Sequence, residues 1–148
     1  MNQSPFINAH TDHGNFISEY QCNIDCEQYI DYFEQMTETG GLVQPRLNPL
    51  QMKDSSVYVH NHIHDNIMFQ VYNDWNRLSC EALQHYMSKY DVLKTREFEH
   101  KTCKIQKTNP SEGFHQWHYD GDGKDSYSSF RQLLVIIYLN DNFEGGET

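Results

Sequence analysis

Positive charge is what this chain has least of. Its 11 lysines and arginines stand against 21 aspartates and glutamates, a formal net charge of −10. Nucleic acids and anionic membranes are held mainly through basic surface, so that balance excludes general binding to either. Long apolar runs are missing too: nothing approaches the ~20 residues that cross a bilayer. The opening Met1-Asn2-Gln3-Ser4-Pro5-Phe6 lacks a basic region leading into an apolar one, the mark of a secretion signal. A cytoplasmic location without membrane association is the expectation. Cysteine is scarce, with four residues at 22, 26, 80 and 103. Without a secretion signal these are expected as reduced thiols, not as a disulfide framework. Cys22 and Cys26 are spaced to share a metal on a helix, but no second close cysteine pair completes a zinc set.

What is present suffices for one core: 37% of the 148 residues are hydrophobic and 14% aromatic. Asp25 is placed to cap a helix with Gln28 as capping-box partner. Cys26, Tyr29, Ile30, Phe33 and Met36 follow at helical spacing, and Gly40-Gly41 ends the run. A Pro-, Asn-, Ser- and His-rich stretch to about residue 64 reads as loop, with a short strand at Val57 to His60. From Asn66 a longer helix is predicted, with Ile67, Val71, Trp75, Leu78, Ala82 and Tyr86 on one stripe that packs against a sheet. Beyond Asp91 the texture turns to strands: Glu97 to Thr108, a turn at Asn109 to Gly113, Phe114 to Asp120 as the returning arm of a hairpin, and Leu133 to Leu139 as a buried strand apolar on both faces. Helices first and strands later indicate α+β. The expected organisation is a single domain, 1–148, helical to about 92 and β-rich from about 93.

The chemistry concentrates toward the C-terminal end, in Gly-Phe-His-Gln-Trp-His-Tyr-Asp at 113–120 and the residues from there to Thr148. Side chains two apart on a strand point the same way, so His118 and Asp120 would converge with their Cβ atoms roughly 6 to 7 Å apart. An imidazole and a carboxylate, joined by a second histidine from elsewhere, make the 2-His-1-carboxylate face of non-heme Fe(II) oxygenases. On the same parity rule His115 faces away, with Trp117 and Tyr119, and Trp117 is expected to pack in the core or at a sheet edge. Leu134, Ile136 and Tyr138 share one face and would give a small-molecule pocket an apolar wall with one polar handle. Without further context Tyr138 reads equally as a core tyrosine with a satisfied hydroxyl.

Taken together, His118-x-Asp120, Arg131, Tyr138-Leu139-Asn140-Asp141 and Glu144-Gly145-Gly146-Glu147-Thr148 resemble the prolyl-hydroxylase-like branch of the Fe(II)/2-oxoglutarate-dependent dioxygenases, in their viral and bacterial versions. The likeness covers residues 103–148, and more loosely the helices before them. It implies N-terminal helices packed on a double-stranded β-helix, a jelly-roll relative of the cupins. It also implies Fe(II), 2-oxoglutarate as co-substrate, ascorbate as an accessory cofactor, and hydroxylation of an unidentified protein or small molecule coupled to decarboxylation of 2-oxoglutarate to succinate. His118 and Asp120 would be the first two iron ligands. Tyr138 would hydrogen-bond the distal carboxylate of 2-oxoglutarate, with Ile136 beside it, and Thr108 stands where relatives often carry a tyrosine near the co-substrate. Arg131 reads as a substrate contact at the pocket mouth or as a surface arginine.

Relatives take a distal histidine and an arginine or lysine for 2-oxoglutarate from strands after the Gly-Gly-Glu-Thr element. Neither can be assigned here, so the expectation is a fragment, a chain completed by strand-edge pairing with another chain, or a non-catalytic remnant. A metal-binding or interaction module is the alternative: His60, His62 and His64 alternate as three imidazoles on one face of a strand would. Lys94, Arg96, Lys101, Lys104 and Lys107 form a local basic stretch that reads as an attractor for an acidic substrate or as a solvated face.

Overall fold

The computed structural model describes residues 7–38, 44–48, 52–59, 66–99, 103–114, 117–118 and 131–145. The protein is mixed α and β, with two helices and two small antiparallel sheets; no closed barrel forms among the described residues. It divides into two compact units, residues 1–25 with 60–103 and residues 26–59 with 104–148.

The first unit opens with strands, where the order of helices first had been expected. β1 (Ile7–Gly14) and β2 (Ile17–Cys22) form an antiparallel hairpin whose register runs from Ile7↔Cys22 to Gly14↔Ile17. Asn15 and Phe16 are its two-residue turn, both at positive φ (49° and 65°), the backbone sign that matches the twist of paired strands. Gly14 at φ 71° supplies the approach, and its N–H donates to Asp12 Oδ1 at 3.0 Å. Phe16 is the unusual member, because a side chain at such a φ is strained. Two contacts hold it: its carbonyl accepts from the Tyr86 hydroxyl at 2.7 Å, and its ring lies 5.1 Å from that of Tyr90.

Both of those partners belong to or follow α2 (Asn66–Lys89), which begins at the residue that periodicity indicates. The helix buries Met68, Val71, Leu78 and Ser79. Each fully buried apolar side chain contributes about 1.5–3 kcal/mol. Ser79 is tolerated inside because its hydroxyl donates back to Trp75 O at 2.7 Å and Asn76 O at 3.1 Å. As expected, the helix packs on a sheet, here the β1–β2 hairpin, through its C-terminal half. A 3₁₀ turn, Asp91–Leu93, follows, with Lys94 Nζ on Asp91 at 2.6 Å.

In the second unit α1 (Cys26–Glu38) buries Tyr29, Tyr32 and Phe33, and its last turn is tied by Thr37 Oγ1 donating to Phe33 O at 3.0 Å. The predicted loop to residue 64 contains instead a hairpin, β3 (Gln44–Asn48) with β4 (Met52–Val59), paired from Gln44↔Ser56 to Asn48↔Met52. Pro45 is tolerated because β3 pairs on one side only among the described strands, and proline within sheets belongs to such edge strands. β4 carries the deepest burial, with Val57 and Val59 on one parity and Asp54 and Ser56 on the other.

β5 (Cys103–Lys107) lies along β4 and points Cys103 and Ile105 inward. Its partner is β4, and so is that of β6 (Gly113–Phe114), through Met52↔Phe114 and Lys53↔Gly113, so among the described residues the expected β5–β6 pairing is not made. The intervening turn explains why. Ser111 (φ 65°) and Gly113 (φ 128°) bend the chain back to the same strand, Glu112 N–H donates to Asn109 O, and the Glu112 carboxylate accepts from Asn109 N and Nδ2 and pairs with Lys53 at 2.9 Å. These donors, Lys53 first, hold the Glu112 carboxyl down to about 2.

The predicted buried strand at 133–139 is a correction as well: the segment is in no strand, and Leu133, Leu134, Val135, Ile136 and Tyr138 are exposed. Apolar composition makes a strand only where another backbone ladder meets it, and among the described residues none does. Among those residues no helix is long and apolar enough to cross a membrane.

Candidate functional site

The second unit holds the residues singled out for iron chemistry. β6 ends at Phe114; Trp117 and His118 lie outside any strand, and Asp120 and His115 lie outside the described residues, so the parity argument for His118 and Asp120 has no observed strand beneath it. His118 is exposed, and its imidazole is stacked nearly parallel on the Phe114 ring, centroids 3.6 Å apart and planes 23° apart. Trp117, expected to pack in the core or at a sheet edge, is fully exposed. The stack fixes one ring plane of His118 through an element, β6, that is itself pinned to β4.

Tyr138 and Ile136 are exposed, at 56% and 50%, on a segment with no strand geometry, so an apolar wall with a tyrosine handle is not built by the described residues. Arg131 is exposed. Thr108 is exposed just after β5, and its hydroxyl accepts from Gln106 Nε2 at 3.4 Å. Of the basic stretch, Lys94 pairs with Asp91 and Lys107 with Glu34, both at 2.6 Å, and Lys104 donates to Gln106 Oε1; Lys101 lies outside the described residues. His60, His62 and His64 are outside them as well. All four cysteines are free, as expected; Cys22 ends β2 while Cys26 opens α1, so the pair does not share a helix.

The first unit contains a cluster that sequence reasoning missed. His10 and Tyr20 are register partners across the β1–β2 hairpin, and His85 of α2 lies against both. The His10 and His85 rings are 4.2 Å apart by centroid, and Tyr20 Oη is 3.0 Å from His85 Nδ1. One step along the same face, Lys89 reaches Asp12 Oδ2 at 3.3 Å and Ser18 Oγ at 3.2 Å. Burial pushes the Tyr20 phenol above its ordinary value, so it stays protonated beside the imidazole. His85 is pushed below its ordinary value, first by burial and then by His10 and Lys89. Asp12 is held below its own by the Gly14 N–H and by Lys89.

His10-x-Asp12 thus repeats the His-x-Asp spacing on an observed strand, with a second histidine beside it. The Asp12 carboxylate, however, is engaged by Gly14 and Lys89, and no group of three His, Cys, Asp or Glu among the described residues is placed to hold a metal. The sequence did carry a signal for the hairpin, Gly14-Asn15 between two polar runs of equal parity, but those runs lack the apolar alternation that marks a strand. Comparison of the chain with protein-family models, curated proteins and solved structures returned no match.

Proposed function

We propose that the chain carries the His-x-Asp part of a prolyl-hydroxylase-like Fe(II)/2-oxoglutarate-dependent dioxygenase core, with His118 and Asp120 as two of the iron ligands. The observation that carries this reading is the order His118-x-Asp120, Tyr138-Leu139-Asn140, Gly145-Gly146-Glu147-Thr148. Donor chemistry fits: an imidazole nitrogen and a carboxylate oxygen suit ferrous ion, and His118 is a solvent-accessible imidazole braced by Phe114, as a ligand ring held by its surroundings should be. When bound, the iron would supply dioxygen activation coupled to decarboxylation of 2-oxoglutarate. The chain's own part is orientation: His118 and Asp120 set the metal's place, and Tyr138 offers a hydroxyl to the far carboxylate of the co-substrate, with Ile136 as apolar contact. Thr108 and Arg131 are assigned to the co-substrate and substrate sides. The four-stranded sheet β3–β6 would belong to a double-stranded β-helix in this reading.

A second reading, an interaction module without turnover, is favoured by the exposure of Leu134, Ile136 and Tyr138 on a segment with no strand partner among the described residues. Anaerobic titration with Fe(II), followed by an assay for succinate from 2-oxoglutarate, separates the two. Replacing a direct ligand, His118→Ala or Asp120→Ala, is expected to weaken iron binding by about 100-fold or more and to abolish succinate. Iron binding that survives both substitutions but is lost with His60, His62 and His64 would overturn the assignment.

A further inference from the structure

We propose that the polar interface between the β1–β2 hairpin and the C-terminal half of α2 is an acid-opened latch, closed while His85 is neutral and released when His85 takes up a proton against the His10 ring and Lys89. The geometry places two imidazoles in ring contact, 4.2 Å between centroids, across the junction of a strand and a helix. Four residues along α2 from His85, Lys89 already brings a positive charge to the hairpin at Asp12, two residues along β1 from His10. In the tautomer that leaves Nδ1 unprotonated, neutral His85 accepts from the Tyr20 hydroxyl 3.0 Å away; a protonated His85 carries hydrogen on both ring nitrogens, and that bond must then be reversed or broken.

The groups facing His85 decide the sign. From β1 come His10 and Asp12, from β2 Tyr20, and from α2 itself Lys89. Asp12 is the only carboxylate among them, and it is already shared between Lys89 and the Gly14 N–H, so it does not also balance a protonated His85. His13 is engaged elsewhere, its Nε2 lying 2.9 Å from Glu19 Oε2. Burial and the neighbouring cations lower the proton affinity of His85 in the folded protein. The unfolded or undocked state therefore binds the proton more readily. Docking is fully supported above the ordinary value of 6.5 and weakens as the pH falls below it toward the lowered folded value.

The hairpin has the makings of a detachable element: its outer positions are largely exposed, and its turn keeps the strained Phe16 in place through contacts to Tyr86 and Tyr90. Acid release would free both contacts at once.

Amide hydrogen exchange on the full chain at about pH 7.5 and about pH 5, corrected for intrinsic chemistry, tests this. Opening of residues 7–22 is expected to rise about tenfold or more, while the β3–β4 pairing holds, and the His85 ring should titrate with the same midpoint. His10→Gln with His85→Gln should flatten the response. Tyr20→Phe, which leaves both imidazoles in place, should retain it. A hairpin that opens no more than β3–β4 in acid, a double variant with unchanged pH dependence, or a Tyr20→Phe variant that has lost the response would each overturn the latch.

Discussion

Cys103 and Cys80 carry the same thiol in opposite surroundings. Cys103 is buried on β5, and desolvation pushes its pKa up to about 12; Cys80 is exposed on α2. Only the thiolate alkylates readily. Brief treatment of the native protein with iodoacetamide should label Cys80 and leave Cys103 unmodified until denaturant is added, as peptide mass spectrometry would report; equal labelling of both would contradict the burial. Ser56 poses the reverse case. Its hydroxyl is buried on β4 with no hydrogen-bond partner among the described residues, so Ser56→Ala removes an uncompensated polar group and should be neutral or stabilise by up to about 1 kcal/mol in chemical unfolding. His118 was legible in the sequence as a chemical residue through its spacing to Asp120, yet its contact with Phe114 was not, because a ring stack four residues along depends on the chain leaving the extended path. His85 was invisible for a simpler reason: on a helical stripe it is one more polar residue until a hairpin 65 positions earlier brings Tyr20 to it.

Among the elements, the β1–β2 turn offers the sharpest comparison. Glycine relieves the left-handed backbone at Phe16 by about 1 kcal/mol, against about 0.5–1.5 kcal/mol for the ring contact it removes. A β-branched residue loses the ring and worsens the strain. Phe16→Gly should therefore leave stability within about 1 kcal/mol of the parent, and Phe16→Val should fall below Phe16→Gly by at least about 1 kcal/mol, read from thermal or urea unfolding. Both helices were readable beforehand, since Tyr29 and Phe33 in one and Val71 and Leu78 in the other recur at helical spacing and become buried, although Tyr32, Met68 and Ser79, off the predicted stripes, are buried with them. The strands were readable only in part. β4 was seen as its last few residues because Val57-Tyr58-Val59 is its one apolar run, while Asp54 and Ser56, just as buried, carry no hydrophobic signal. β1 and β2 are polar, and β3 contains a proline. The segment 133–139 shows the opposite failure, strand composition without a strand, because pairing depends on a neighbour and not on the residues themselves.

At the scale of the molecule, that same segment brings together five exposed large apolar side chains, Leu133, Leu134, Val135, Ile136 and Tyr138, among the described residues. Leu134 is 67% exposed and Ile136 50%, in a chain whose net charge of −10 otherwise favours solubility. Leu134→Ser with Ile136→Ser should lower self-association in sedimentation velocity. The melting temperature should move by less than about 2 °C, because exposed side chains add little to folding. A large loss of thermal stability would mean that these side chains are covered in solution. The division into units has a separate consequence. Because residues 1–25 assemble with 60–103 and residues 26–59 with 104–148, the chain passes from one unit to the other at 25/26, 59/60 and 103/104. No single cut of the polypeptide can liberate either unit intact, and no simple N- or C-terminal truncation yields one alone. Isolating the hairpin-and-helix unit would call for a gene in which residue 25 is stitched to residue 60 by a flexible linker, and ribosomal synthesis must finish both of its stretches before that unit can close.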